Sequence, residues 1–96
     1  MNVEMKAVHF SLDNASKEYL EKKISRIPNA ENMIVDLLFT LTKGKDYSAE
    51  VTVNFRWGVS IHQEENDFDL NAAIDKLIDK LDAKIAKEKE KVKEKR

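Results

Sequence analysis

Lys76, Lys80, Lys84, Lys87 and Lys91 recur at three- and four-residue intervals. At about 100° per residue they fall along one flank of a helix. A row of ammonium groups in that arrangement could meet the phosphates of a nucleic acid. Asp75, Asp79 and Asp82 fall along the other flank. A solvated helix is usually stabilised by a lysine placed four residues after an acid, which adds a few tenths of a kcal/mol per pair. Here Asp75 is followed at that spacing by Asp79, and Lys76 by Lys80 and then Lys84. Like charges therefore stack along each flank, at a small cost to the helix. Either the row is a rail for a polyanion or it is a solvated face. The same segregation occurs a second time. Lys22, Lys23 and Arg26 gather with Tyr19 on one flank of an earlier helical stretch, and Glu18 and Glu21 lie round the other side.

Other chemistries have little to work with. His9 and His62 are the only histidines, and neither has a companion at metal-ligand spacing. The absence of cysteine excludes disulfides and thiolate metal sites. Gly44 and Gly58 are isolated, so no glycine-rich loop exists to cradle a phosphate. Trp57 stands beside a turn, where it either stacks on a base or packs on the protein. No catalytic residue, metal or cofactor is called for, and the chain reads as a binding protein.

The elements that must position these residues follow from periodicity. Leu70, Ile74, Leu77, Leu81 and Ile85, widened by Ile78, form the apolar stripe of a long helix from Asp69 to Arg96. Its tail after Lys87 is low in complexity and is expected to fray. Val3, Met5 and Ala7 alternate with Glu4 and Lys6 in a first strand, Asn2 to Phe10. Asp13 is the expected N-cap of a first helix running to about Ile27, with a stripe of Leu20, Ile24 and Ile27 extended by Ser16 and Lys23. Pro28 is expected to end it.

The second strand is expected near Met33 to Thr42, with Val35, Leu37, Phe39 and Leu41 on one face. After a turn at Lys43 to Asp46, the third strand runs from about Tyr47 to Arg56, with Ala49, Val51, Val53 and Phe55 on one face. Trp57 and Gly58 form the next turn, and the fourth strand spans Val59 to Glu64. Glu64, Glu65, Asp67 and Asp69 then precede the long helix, where acids complement its amino-terminal dipole. The order is β-α-β-β-β-α, an α+β domain whose four-stranded sheet has one face covered by two helices and one face open. The helical link from the first strand to the second implies a right-handed crossover if those strands are parallel neighbours.

With 96 residues the chain is expected to form a single domain, residues 1–96, with one modest core. Net charge is −1, so affinity for nucleic acid has to come from segregated charge. No long apolar run marks a signal peptide or membrane span, and the cytoplasm is the default location.

Known RNA modules fit poorly. An RNA recognition motif needs aromatics on its open face, where Thr52, Asn54 and Arg56 stand. A KH domain needs a GxxG loop, which is missing. A double-stranded RNA-binding domain would open its last helix with lysines, not with Glu64, Glu65, Asp67 and Asp69.

The opening NVEMKAVHFSLDNASKEYLEKKISRI and the later DFDLNAAIDKLIDKLDAKI do fit one family. The chain resembles a short ribosome hibernation promoting factor, of the family that includes the ribosome-associated inhibitor. The resemblance covers nearly the whole chain, and the acid-then-AAID-xxxDKL run is its most specific part. It implies both helices on one sheet face. It also implies binding to the small ribosomal subunit and its rRNA, in the channel where mRNA and tRNA meet, during stress or stationary phase. By position the resemblance marks Lys23, Arg26, Lys80, Lys87 and Lys91 as RNA contacts. Lys22, Lys76 and Lys84 continue the same flanks by geometry. Val8 and Ala83 stand where relatives often carry basic residues. As the chain stops at residue 96, the resemblance leads us to expect the short type, without the carboxy-terminal dimerisation domain of the long type, and monomeric when free. The alternative is a general structured-RNA binder with no ribosome-specific role.

Overall fold

The computed structural model describes residues 1–27 and 30–94, with side chains as far as Lys91. Pro28, expected to end the first helix, lies outside the described residues. The elements are β1 (Asn2–Val8), α1 (Asn14–Ser25), α2 (Ala30–Met33), β2 (Ile34–Lys43), β3 (Tyr47–Phe55), β4 (Ser60–Asp67) and α3 (Leu70–Glu94). The architecture is α+β, and the strands lie side by side in chain order, β1-β2-β3-β4. β1 runs parallel to β2 through the α1 connection, and β2, β3 and β4 form an antiparallel meander. Among the described residues no helix is long and apolar enough to cross a membrane.

Period-2 alternation places the core on one face. Leu37, Phe39 and Leu41 of β2 sit opposite Val53, Val51 and Ala49 of β3, and all six are buried. Leu20, Ile24 and Ile27 from α1, and Ile74, Leu77, Ile78, Leu81 and Ile85 from α3, join them in one cluster. Both long helices therefore cover the same face of the sheet. The other face carries the even-numbered residues, among them Thr52, Asn54, His62 and Glu64. Asn2, Asp36, Asn54 and Ser60 link across it by side-chain hydrogen bonds of 2.7–3.4 Å.

Three local readings are corrected. Val35 is exposed and Ile34 takes its place in the core, because the β2–β3 register shifts between Ile34 and Asp36. That bulge inserts one residue and turns the alternation over at the start of the strand. Residues Ala30–Met33 form a one-turn helix that the sequence did not announce, burying Ala30 and Met33. β4 starts at Ser60 and continues to Asp67, so Val59 lies outside it and Glu64, Glu65 and Asp67 belong to the strand. Only Asp69 of those acids serves the start of α3 directly. Its carboxylate accepts the Ala72 N–H at 3.0 Å and its carbonyl accepts the Ala73 N–H at 3.0 Å.

Candidate nucleic-acid interface

α1 begins where Asp13, in extended geometry, accepts the Ser16 backbone N–H at 2.8 Å. That bond holds the Asp13 carboxyl below the usual aspartate range. With Leu20 and Ile24 turned into the core, Tyr19 and Lys23 fall on the side of α1 that faces α3. Lys22 and Arg26 are exposed, and Arg26 closes the helix with its N–H directed at the Lys23 and Ile24 carbonyls.

α3 is anchored by its stripe, so its two charged flanks point to different neighbours. Asp75 meets α1: its Oδ1 accepts the Tyr19 hydroxyl at 2.5 Å and lies 3.3 Å from Lys23 Nζ. The lysine flank meets β4 instead. Lys76 Nζ is 2.8 Å from Asp67 Oδ2, and Lys80 pairs with Glu65. Asp75 therefore stands between Lys23 of α1 and the lysine flank of α3. Lys84 and Lys87 have no ion pair among the described residues. With Lys80, Ala83 and Gln63 they line a shallow cleft of about 280 Å³. Lys91, the last residue with a described side chain, lies 3.4 Å from Glu88, one turn earlier.

The eight basic residues singled out in the sequence thus divide. Lys22, Arg26, Lys84 and Lys87 project from the helices; Lys23, Lys76, Lys80 and Lys91 hold carboxylates. Sequence reasoning missed Glu65 and Asp67 as partners of the rail. Continuing the β4 alternation from Ile61 through Gln63 would have placed both on the covered face, beneath α3. Val8 lies on the open face and Ala83 beside Lys84, so these two positions sit on separate surfaces. Trp57 stacks on Phe55, with ring centroids 4.9 Å apart. Phe68, 85% exposed between β4 and α3, is the most exposed large hydrophobic residue described.

The contact between the helices has a titration signature. Ionising Tyr19 would remove the proton it gives Asp75 and set a second negative charge beside that carboxylate. The Tyr19 hydroxyl is therefore held above its ordinary value of 10.0, first by this hydrogen bond, and the Lys23 ammonium is raised by the same carboxylate. A pKa raised by folding adds stability that is complete below the unfolded value and fades as pH rises through the folded one. This clamp between the helices is accordingly intact at neutral pH and weakens in alkali, as Tyr19 and Lys23 lose their protons. Asp75→Asn is expected to bring the Tyr19 phenolate transition back toward its ordinary value in an ultraviolet pH titration. An unchanged transition would mean that the two side chains do not meet in solution.

Comparison with known proteins matches residues 3–93 to the family model described as sigma 54 modulation protein / S30EA ribosomal protein. The chain belongs to this family. Among its members, the ribosome hibernation promoting factor of Azotobacter vinelandii is 33% identical over 93 residues, covering 95% of this chain and 85% of that protein. A ribosomal subunit interface protein from Coxiella burnetii shares the fold, with a TM-score of 0.86 at 23% identity over 93% of this chain and 98% of the other. The Protein Y amino-terminal domain of Thermus thermophilus superposes with a TM-score of 0.76 at 30% identity, covering 88% of this chain and 96% of that domain. Both solved structures share the fold built above from alternation and stripe.

Proposed function

We propose that this protein is a translation inhibitor that binds the small ribosomal subunit in the mRNA–tRNA channel and holds ribosomes inactive under stress. The observation that carries this reading is the family match over residues 3–93, with a relative named for ribosome hibernation aligned over 95% of the chain. The charge pattern supplies the physics. Lys22 and Arg26 on α1, with Lys84 and Lys87 on α3, offer ammonium and guanidinium groups that form charge-assisted bonds to rRNA phosphates. The protein acts in the cytoplasm by occupancy, without a chemical step. A folded body with extents of 46 × 20 × 20 Å leaves no room in a narrow channel for an mRNA strand and a tRNA stem.

Inhibition is therefore steric and competitive. In a purified translation system, added protein is expected to suppress initiation at limiting mRNA and initiator tRNA. Raising both ligands, or forming the initiation complex first, restores activity, because mutually exclusive ligands displace each other by mass action. Bound protein and pre-formed initiation complexes coexisting on the same subunits would exclude the channel and favour a general structured-RNA binder.

A further inference from the structure

We propose that Glu65 and Asp67 are built-in counter-ions that set the affinity and selectivity of the α3 lysine flank, so that a phosphate-rich RNA must displace them to engage its first half. This inference rests on the reading that the flank meets rRNA, and it adds which part of the flank discriminates and how.

The two acids are held in place by the fold. The β3–β4 register sets Asp67 opposite Tyr47 and Glu65 opposite Ala49, on the face that α3 covers. Their side chains are 25% and 19% exposed, against 54% and 57% for Lys76 and Lys80. The carboxylates are thus the fixed members of each pair and the lysine ends are the mobile ones. Asp67 is fixed further, because its Oδ1 accepts the Asp69 backbone N–H at 3.0 Å while Oδ2 holds Lys76. That backbone bond, aided by Lys76, keeps the Asp67 carboxyl below the usual range, and Asp67 in turn raises Lys76. Both groups are therefore charged at neutral pH.

The spacing matches as well. Two residues along a strand advance about 6.6–6.8 Å, and four along a helix about 6 Å. Asp67 and Glu65 therefore meet Lys76 and Lys80 as two anions in a row, occupying the places phosphates would take. The row then stops. The next covered-face residue toward the start of β4 is Gln63, which is neutral, and there the cleft with Lys84 and Lys87 opens. The flank consequently has an open half and a neutralised half. An isolated phosphate finds only the open half. A partner presenting several phosphates at fixed spacing engages the open half first and then exchanges with the two carboxylates. Exposed ion pairs are weak enough for that exchange to be reversible.

The test uses the full chain and four variants. Glu65→Gln with Asp67→Asn removes both counter-ions, and Glu65→Gln alone leaves the Asp67 turn at the helix start untouched. Gln63→Glu extends the acidic row into the cleft. Glu4→Gln with Glu21→Gln makes the same change in net charge at exposed positions on the β1 side, away from the basic flanks. Circular dichroism checks each fold. Two probes are read, the salt needed for elution from heparin and the salt dependence of binding to purified small subunits.

The double counter-ion variant is expected to bind subunits roughly three- to tenfold tighter at 0.1 M salt, taking ordinary exposed-pair strengths. Its log–log salt slope should steepen by roughly 0.7–0.9 for each lysine released. Glu65→Gln alone should give part of that gain, Gln63→Glu should weaken binding, and the control pair should move little, because distant charges are screened beyond about 10 Å. Equal gains from the control pair, or an unchanged slope in the double variant, would overturn the proposal. If the wild-type protein ignores subunits while heparin preserves the order of variants, the ribosomal reading fails and the counter-ion assignment stands.

Discussion

Leu77→Ala and Leu81→Ala are each expected to lower the free energy of unfolding by about 2–5 kcal/mol, the range for leucines deleted from a well-packed core. Both side chains are fully buried. They occupy the middle of α3, where the helix crosses β3 and β4, so the cavities they leave have walls on both sides. Relaxation is limited there because Val51, Val53 and Phe55 belong to an interior strand paired on each edge. The measurement is equilibrium denaturation followed by circular dichroism, which reports helix and sheet together in a cooperative transition. A loss under about 0.5 kcal/mol at both positions is the signature of a surface site and would mean that α3 docks on a different face.

The largest effect on binding is expected from replacing Lys80, Lys84 and Lys87 together by Gln. Each lysine that meets an rRNA phosphate forms a bond to a charged group, and losing three such bonds should weaken subunit binding on the order of a hundredfold or more. The log–log salt slope should flatten by roughly 0.7–0.9 per lost contact. Lys84 and Lys87 are expected to account for most of the change, since Glu65 already holds Lys80. Asp79→Asn with Asp82→Asn should leave binding intact or improve it. Asp75 is a poor control, because it holds Tyr19 and Lys23 and its loss would loosen the two helices. Equal losses from the lysine and aspartate sets would indicate misfolding in place of a polarised surface.

Most of the fold is legible in the residues. The run Leu37, Phe39, Leu41 alternates cleanly because that part of β2 has one covered face and one open face, and the α3 stripe is long enough to exclude a strand. Val35 misleads because a bulge leaves no mark on an alternating pattern. Residues 30–33 are too few for a helical period to show. The end of β4 is harder for a chemical reason. Its covered positions after Ile61 are Gln63, Glu65 and Asp67, so the hydrophobic signal stops while the strand continues. Lysine stems and ion pairs from α3 cover those positions in place of a hydrocarbon core. For the same reason, the division of charge along α3 is visible in the sequence, but its consequence is not. Only the β3–β4 register brings Lys76 and Lys80 over acids and Lys84 over Gln63.

Glu65 and Asp67 have a further effect that concerns copies of the protein meeting one another. β4 is an edge strand, with one row of backbone N–H and C=O groups lacking a neighbouring strand. Such a row is a template on which another strand can add, and inward-pointing charges are one way that sheets prevent it. A strand arriving beside β4 would close over two carboxylates and the ammonium groups attached to them, stripping water from charges that now reach solvent past the edge. β1, at the other side, has Val3, Met5 and Ala7 on its covered face and no charge pointing inward. The sheet is therefore guarded against edge-to-edge aggregation at β4 by ionic groups set beneath the helix, and β1 lacks that protection.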